Sequence, residues 1–176
     1  MKPAEKAITW PQDIYDAFKK LGIRQVAYVP DAGHTQLIKS CHADRSMKAV
    51  SLTTEEEGVA MLAGTWLGGE RGALLMQSSG AGNCIYMLGI IQECRFPLLM
   101  LVTMRGEWGE FNPWQLPMGQ STADILGRAG SVVQHVDDAE RVGETVFAGG
   151  QMTFSTGRPV AVLIGQRVVG FKDWSK

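Results

Sequence analysis

The sequence predicts an α/β fold: a single three-layer α/β/α domain, residues 1–176, built on a six-stranded, mainly parallel sheet. Short apolar runs without polar alternation recur along the chain, which is typical of strands covered on both faces. Segments with helical spacing of apolar residues separate these runs, and such alternation favours a parallel sheet between two helical layers. The predicted core spans about residues 10–165, and no repeat or linker divides it.

The strands are predicted from the apolar runs and their flanking turn residues. They are expected at residues 26–30, 48–52, 73–77, 98–103, 132–136 and 159–164.

The helices are predicted between these runs. The first begins at Trp10, places Ile14 and Phe18 on one face, and ends at Gly22. Later helices are expected at residues 35–41, from Thr54 to 67, from about 84 to 93, from Ser121 to 127 and from 137 to 154. Thr54 followed by Glu57 fits a capping box, and the tail, residues 165–176, is expected to be peripheral.

Composition excludes several classes of protein. Seventeen Lys and Arg residues balance eighteen Asp and Glu residues, so no nucleic-acid partner is expected. No apolar run approaches the roughly 18 residues of a membrane span, and residues 1–6 lead into no signal peptide. Three cysteines form no metal-binding motif, so no metal ligands are predicted. Cys41 is expected to be a buried thiol, and a reduced, cytoplasmic chain follows.

Three unusual loops follow predicted strands, at residues 30–34, 78–83 and 104–120. Because ligands of parallel α/β sheets bind at the carboxyl ends of the strands, all three are candidate site loops. Gly80 and Gly82 suggest a dinucleotide fingerprint, but Ile85 occupies its third glycine position. A stand-alone nucleotide-binding protein is therefore disfavoured.

Glu56 is a candidate functional acid. The segment Glu55-Glu56-Glu57 lies at a helix start, where carboxylates stabilise the helix dipole without any other role. Glu56, however, shares its face with Ala60, Ala63 and Leu67. A carboxyl group above a small apolar face is expected to pack against another surface and to be desolvated.

Residues 104–120 combine a cation with aromatic rings, at Arg105, Trp108 and Trp114. Such a loop favours a lid or an interface over a core role. Arg105 can bind a substrate carboxylate through two parallel hydrogen bonds. The alternative is a surface ion pair with Glu107 or Glu110, which would contribute little.

Five segments resemble the thiamine-diphosphate enzymes, in particular sulfopyruvate and phosphonopyruvate decarboxylases. Residues 54–64, T-E-E-E-G-V-A-M-L-A-G, resemble the helix that carries the family's glutamate. Residues 76–83, M-Q-S-S-G-A-G-N, resemble M-Q-N-S-G-L-G-N of that subgroup. Residues 103–106 and 118–122 resemble its R-G and M-G-Q-x-T segments, and residues 157–164 resemble the closing strand of the domain.

The resemblance covers about residues 10–165 and implies the pyrimidine-binding (PYR) domain of a 2-oxo acid decarboxylase. It implies thiamine diphosphate and Mg²⁺ as cofactors, with Glu56 bonded to ring nitrogen N1′ of the aminopyrimidine. A partner β subunit with a PP domain, marked by a G-D-G motif absent from this sequence, would hold the metal and the diphosphate. A hetero-oligomer such as α2β2 or larger is expected.

The family pattern assigns further site residues by position. The cofactor-binding residues would be Pro30, Glu56, Ser79, Gly80 and Asn83, with Gly80 and Gly82 letting the backbone approach the ring. The substrate residues would be His34, Arg105, Trp114 and Gln115.

Three positions depart from the subgroup's pattern. Ser78 replaces an asparagine, Gln115 stands where a histidine is common, and Asp31 follows Pro30 in place of cysteine. An acid at Asp31 fits poorly beside a dianionic sulfonate or phosphonate, so a different substrate is expected. The alternatives left open are a carboligase that forms acyloins and a non-catalytic regulatory subunit of the same fold.

Overall fold

The structure, a computed structural model, describes residues 9–171 and contains a six-stranded sheet of order β2-β1-β3-β4-β6-β5. All neighbouring strands in it are parallel, which confirms the predicted fold class. The strands are β1 (Ile23–Tyr28), β2 (Lys48–Ser51), β3 (Arg71–Gln77), β4 (Leu98–Thr103), β5 (Val132–Val136) and β6 (Pro159–Ile164).

Helices cover both faces of the sheet and bury an apolar core on each. The helices are α1 (Trp10–Leu21), α2 (Thr35–Ala43), α3 (Glu55–Leu67), α4 (Ser78–Ala81), α5 (Ile85–Glu93), α6 (Leu116–Arg128), α7 (Val142–Thr156) and α8 (Gln166–Val169). One core cluster joins α1, α2 and α7 to the sheet, and the other joins α3, α5 and α6 to the opposite face. The strands β4 and β6 are buried along their whole length.

Several helix boundaries differ from the sequence prediction, and the helix predicted at residues 137–154 is a 3-10 turn at Ala139–Arg141 followed by α7 at Val142–Thr156. Residues 78–83 are not a loop, because α4 begins directly after β3 and continues through a 3-10 turn into α5. The helix α6 begins at Leu116 rather than Ser121. Pro117 suits the first helical turn, where no N–H bond is lost, and the Ser121 hydroxyl donates to the Pro117 carbonyl inside the helix.

The chain after β6 is not wholly peripheral, since α8 holds a fully buried Gln166. Residues 1–8, on which the expectation about a signal peptide rested, and residues 172–176 lie outside the described part. Within residues 9–171, no helix is both long enough and apolar enough to cross a membrane.

Close packing of α1 against α7 makes Gly143 sensitive to substitution. A Cβ atom there would lie 2.7 Å from the Cβ of Asp13 and 3.2 Å from its backbone carbonyl. We expect Gly143→Ala to lower the free energy of unfolding by about 1–3 kcal/mol through overpacking. Gly89→Ala is the matched control: its new methyl group meets open space, so the helix gains about 0.5–1 kcal/mol. Urea unfolding of both variants checks the pair, and equal effects would contradict the packing argument.

Candidate active site

The three candidate loops meet at the carboxyl edge of the sheet, because β1, β3 and β4 are neighbours. Gln77 Nε2 donates to Asp31 Oδ1 at 3.1 Å, and Thr103 Oγ1 donates to Asp31 Oδ2 at 2.6 Å. Gln115 Nε2 donates to Gln77 Oε1 at 3.1 Å. Side chains from three separated segments thus form one polar cluster.

Glu56 lies in the first turn of α3 with one unpaired carboxylate oxygen. Its Oε2 is buried and has no hydrogen-bond partner among residues 9–171. An orphaned buried acceptor destabilises a fold unless a ligand supplies a donor. Within residues 9–171, this oxygen of Glu56 therefore remains available as a hydrogen-bond acceptor.

Glu57 is occupied by a local helix-capping contact. Its Oε2 accepts from the backbone N–H of Thr53 at 2.9 Å, whereas the Thr54 side chain makes no capping hydrogen bond. The predicted capping box is therefore wrong in detail. Glu57 accepts from the N–H of Thr53 rather than from that of Thr54, and the Thr54 hydroxyl makes no capping hydrogen bond.

Glu55 is the most buried of the three acids and joins α3 to the segment after β3. Its Oε2 accepts from Asn83 Nδ2 at 2.8 Å. A Cβ atom on Gly80 would lie 2.0 Å from its Oε1, so only glycine leaves room for this carboxyl group. Gly80, which we expected to allow close approach of the cofactor, also accommodates Glu55.

Sequence reasoning missed this role of Glu55, since three adjacent glutamates give no signal that separates them. The structure also assigns Asn83 a bond to Glu55 beside its proposed role toward the cofactor. Burial, followed by the charges of Glu55 and Glu56, raises the pKa of the nearby Cys84 thiol to about 12. Cys84 is therefore a neutral thiol and no nucleophile.

The remaining cofactor candidates lie at the ends of β1 and β3. Pro30 is exposed and lines an open cavity of about 430 Å³ with Tyr28 and Lys39. Ser79 is exposed, and its hydroxyl donates to Gln77 Oε1 at 2.8 Å. Neither position is blocked by its neighbours.

Arg105 forms a two-pronged ion pair with Glu110. Its Nε and Nη2 donate to the two carboxylate oxygens at 2.8 and 2.9 Å. Burial alone would raise the pKa of Glu110, but this pair, with further bonds from Asn112, Gln166 and Gly106, lowers it to about 2. The alternative interpretation, an ion pair between Arg105 and Glu110, is thus correct. The pair is buried rather than on the surface, because the two side chains are only 14% and 1% exposed.

Gln166, in the segment after β6, forms hydrogen bonds with the loop of residues 104–120. Its Oε1 accepts from the backbone N–H groups of Glu107 and Trp108, and its Nε2 donates to Glu110 at 3.0 Å. A residue in the supposedly peripheral tail therefore shapes the candidate site.

The two tryptophans of the loop differ in packing. Trp108 contacts Phe171 edge-on, with ring centroids 5.1 Å apart, and the guanidinium of Arg167 lies over its ring. Trp114 is 72% exposed. Beside it, Gln115 Oε1 is buried without a hydrogen-bond partner in the described chain.

His34 does not occupy a substrate-binding position. It is fully buried, its Nε2 lies 3.2 Å from the Leu101 carbonyl, and burial lowers its pKa. The predicted contact between His34 and the substrate is therefore wrong, because its neutral ring is buried below the edge of the sheet and is not accessible to a solute.

His135 forms an exposed cluster with two acids. Its Nε2 lies 3.0 Å from Glu107, and its Nδ1 lies 3.3 Å from Asp137. The ligand atoms lie within 4.8 Å of one another, but both ring nitrogens already pair with carboxylates. We therefore treat the cluster as a loop contact rather than as a metal centre.

Residues 8–115 match the model of the thiamine pyrophosphate enzymes, N-terminal TPP binding domain. The chain belongs to this family. The matched part contains Glu56 and all four members of the polar cluster, Asp31, Gln77, Thr103 and Gln115.

Similar proteins include two kinds of decarboxylase. Sulfopyruvate decarboxylase subunit alpha of Methanothermobacter thermautotrophicus is 37% identical over 114 residues, 64% of this chain and 69% of that protein. Phosphonopyruvate decarboxylase of Streptomyces viridochromogenes is 31% identical over 160 residues, 89% of this chain and 40% of that protein.

A similar solved structure supports the fold. It is a 2-oxoglutarate:ferredoxin oxidoreductase of Magnetococcus marinus, with a TM-score of 0.76 at 17% identity. The match covers 91% of this TPP-binding domain and 29% of the other chain.

The contact between Glu55 and Gly80 predicts a sharp difference between two glycines of the TPP-binding domain. Gly80→Ala would drive a methyl group into the Glu55 carboxyl group, and we expect a loss of about 1–3 kcal/mol in unfolding free energy. In Gly82→Ala the new atom lies 3.6 Å from Met118, so a smaller effect is expected. Thermal unfolding checks this. Adding Glu55→Ala to Gly80→Ala should cost less than the sum of the single changes, and simple additivity would contradict the contact.

The cluster around His135 predicts a pH-dependent stability. The hydrogen bond to Glu107 is the main cause that raises the pKa of His135. Protonated His135 therefore stabilises the fold below pH 6.5, and this contribution is lost as the pH rises through the raised pKa. We expect the unfolding free energy of the wild type to fall more between pH 6 and pH 9 than that of His135→Gln. Urea titrations at both values measure the difference, and parallel pH profiles would exclude the linkage.

Proposed function

We propose that this chain is the α (PYR) subunit of a two-subunit, thiamine-diphosphate-dependent 2-oxo acid decarboxylase. The observation that carries the proposal is the buried, unpartnered Oε2 of Glu56. It stands in a segment that the family model covers.

The residues present fit the aminopyrimidine of thiamine diphosphate. A buried carboxylate oxygen without a donor matches a ring nitrogen that can carry or share a proton. When bound, the cofactor supplies an electron sink for the release of CO2 from a 2-oxo acid. The exposed Pro30 and Ser79 would border the ring, and Asn83 and Gly80 would act through their contacts with Glu55.

Of the three adjacent acids, Glu56 is best suited to hold the proton. Glu57 bonds to the Thr53 backbone, and Glu55 bonds to Asn83. Glu56 alone among them has a buried oxygen with no partner. In surroundings of low dielectric, a hydrogen bond between this oxygen and a ring nitrogen would be strong and would position the ring.

An apolar surface beside Glu56 supports a partner subunit. On α3 the face of Glu56 continues through Ala60 and Ala63 to Leu67, which is 73% exposed, and on the adjoining α5 Tyr86 is 86% exposed. Large exposed apolar side chains of this kind mark interfaces. We propose that a β subunit with a PP domain covers the surface and holds Mg²⁺ and the diphosphate through its G-D-G motif. The proposed assembly is α2β2 or larger.

The same observation favours catalysis over a purely regulatory role. A subunit that only binds its partner has no use for an orphaned buried carboxylate oxygen, because that atom destabilises the fold. A catalytic subunit regains this free energy when the cofactor binds.

Glu56→Gln tests the proposed role in the complex reconstituted from this chain, a PP-domain subunit, thiamine diphosphate and Mg²⁺. The neutral amide cannot take up the proton, so we expect CO2 release from a 2-oxo acid to fall by about 10²–10⁴-fold. Exchange of the cofactor's C2 proton with solvent, followed by NMR, should slow in parallel. Glu57→Gln is the matched control and should retain most activity. An equal loss in both variants would contradict the assignment.

The isolated chain is expected to lack turnover with thiamine diphosphate and Mg²⁺, because the diphosphate and metal site is proposed to lie on the partner. Sedimentation should show self-association of the isolated chain that the PP-domain subunit suppresses. Turnover by the chain alone, at a rate proportional to its concentration, would overturn the split-site proposal.

A further inference from the structure

We propose that Asp31, Gln77 and Gln115, named here the acceptor cluster, select a 2-oxo acid whose side chain carries a hydrogen-bond donor. The same cluster disfavours a second acidic group on the substrate. This inference rests on the proposed function and extends it to the class of substrate.

The orientation of the amide groups of Gln77 and Gln115 follows from the carboxylate of Asp31. A carboxylate only accepts hydrogen bonds, so the amide nitrogen of Gln77 must face it, as the 3.1 Å contact shows. The amide oxygen of Gln77 then faces Gln115, which must present its own nitrogen. The oxygen of Gln115 is therefore directed away from Gln77, buried and without a partner in residues 9–171.

Through these two hydrogen bonds, the acceptor Asp31 orients both glutamine amides and leaves a second acceptor, the Gln115 oxygen, two side chains away. The unpaired oxygen of Gln115 is stabilised only when a bound group donates to it. Gln115 follows Trp114, whose exposed indole adds apolar surface at the same end of the sheet. A substrate with both a hydrocarbon portion and a hydroxyl or amino group matches these two features.

The charges around Asp31 also disfavour a second acidic group on the substrate. Asp31 and Arg105 line one cavity of about 160 Å³ together with Thr103 and Phe171. Arg105 is paired with Glu110, so the two charges cancel. Asp31 receives hydrogen bonds only from neutral groups, Gln77 and Thr103, and forms no ion pair among the described residues.

The other basic groups near Asp31 do not alter this balance. Lys39 is exposed and lines the open 430 Å³ cavity but not the 160 Å³ cavity, whereas Asp31 lines both. The charge of Asp31 opposes the lowered pKa of His34, but burial is the larger effect and favours the neutral ring. In the 160 Å³ cavity, where Arg105 is paired with Glu110, the charge of Asp31 is therefore left uncompensated and repels a sulfonate or phosphonate.

A matched substrate panel tests the inference in the reconstituted complex. 2-Oxobutanoate and 4-hydroxy-2-oxobutanoate differ by one donor, and 3-sulfopyruvate adds a second anion. We expect kcat/KM for the hydroxylated acid to exceed that for 2-oxobutanoate at least about tenfold, because a site built around a donor rejects an analogue that lacks it. 3-Sulfopyruvate is expected to be the poorest of the three.

Asp31→Asn separates this role of Asp31 from a merely structural one. Its neutral amide can either accept from Gln77 or donate to it, so the charge is removed and the orientation of the two glutamine amides is no longer imposed. We expect the ratio of kcat/KM for 3-sulfopyruvate over 4-hydroxy-2-oxobutanoate to rise on the order of tenfold, since a repelling charge is lost. Asp124→Asn removes the same charge from an exposed position on α6 and should leave the ratio unchanged. Gln115→Leu should abolish the preference in kcat/KM for the hydroxylated acid over 2-oxobutanoate.

The possible failures are distinguishable. If no acid in the panel is decarboxylated, the proposed function fails and the inference fails with it. If 3-sulfopyruvate is the preferred substrate, or if Asp31→Asn and Asp124→Asn shift the ratio equally, the inference is overturned while the decarboxylase proposal stands.

Discussion

The Glu55 carboxyl group lies directly against the Cα of Gly80 and accepts from Asn83, and the geometry of the candidate site depends on this contact. It holds the first turn of α3 against the start of α4, so that Glu56 is fixed relative to the carboxyl end of β3. A methyl group at position 80 would displace the Glu55 carboxyl group and disturb its hydrogen bond with Asn83. The contact thus lets an acid on one helix act together with loops that follow three different strands.

A second constraint is the direction of hydrogen bonds, which Asp31 imposes on its neighbours. Because a carboxylate has no proton to donate, each amide in the sequence Asp31, Gln77, Gln115 has a single consistent orientation. The Ser79 hydroxyl donates to the same Gln77 oxygen and reinforces that orientation. The polarity that the chain presents at its candidate substrate pocket is therefore determined by one charged side chain that a ligand need not touch.

The sequence was sufficient for the framework of the fold but not for its long-range polar contacts. The strands at residues 98–103, 132–136 and 159–164 match the structure exactly, because uninterrupted apolar runs report burial on both faces. Residues 78–83 were expected to be a loop, since glycine and serine favour turns. In the structure they are helical and contact Glu55, more than twenty residues away, and no local pattern indicates that contact.

Charge pairing explains why the site residues were harder to assign than the strands. Glu55, Glu56 and Glu57 have the same chemistry and adjacent positions, yet one bonds to Asn83, one retains an unpaired oxygen and one caps the helix. For Arg105 the sequence offered a substrate carboxylate or an ion pair with Glu107 or Glu110, and only the fold selects Glu110 and adds the bond from Gln166 to it. A residue's type limits the chemistry it can perform, but the partners that the fold provides determine whether its charge or hydrogen-bonding atom remains available to a ligand. By that criterion Glu56 and Gln115 each keep one buried oxygen unpaired in the described chain, and a ligand that donates to either oxygen would recover the free energy of the missing hydrogen bond.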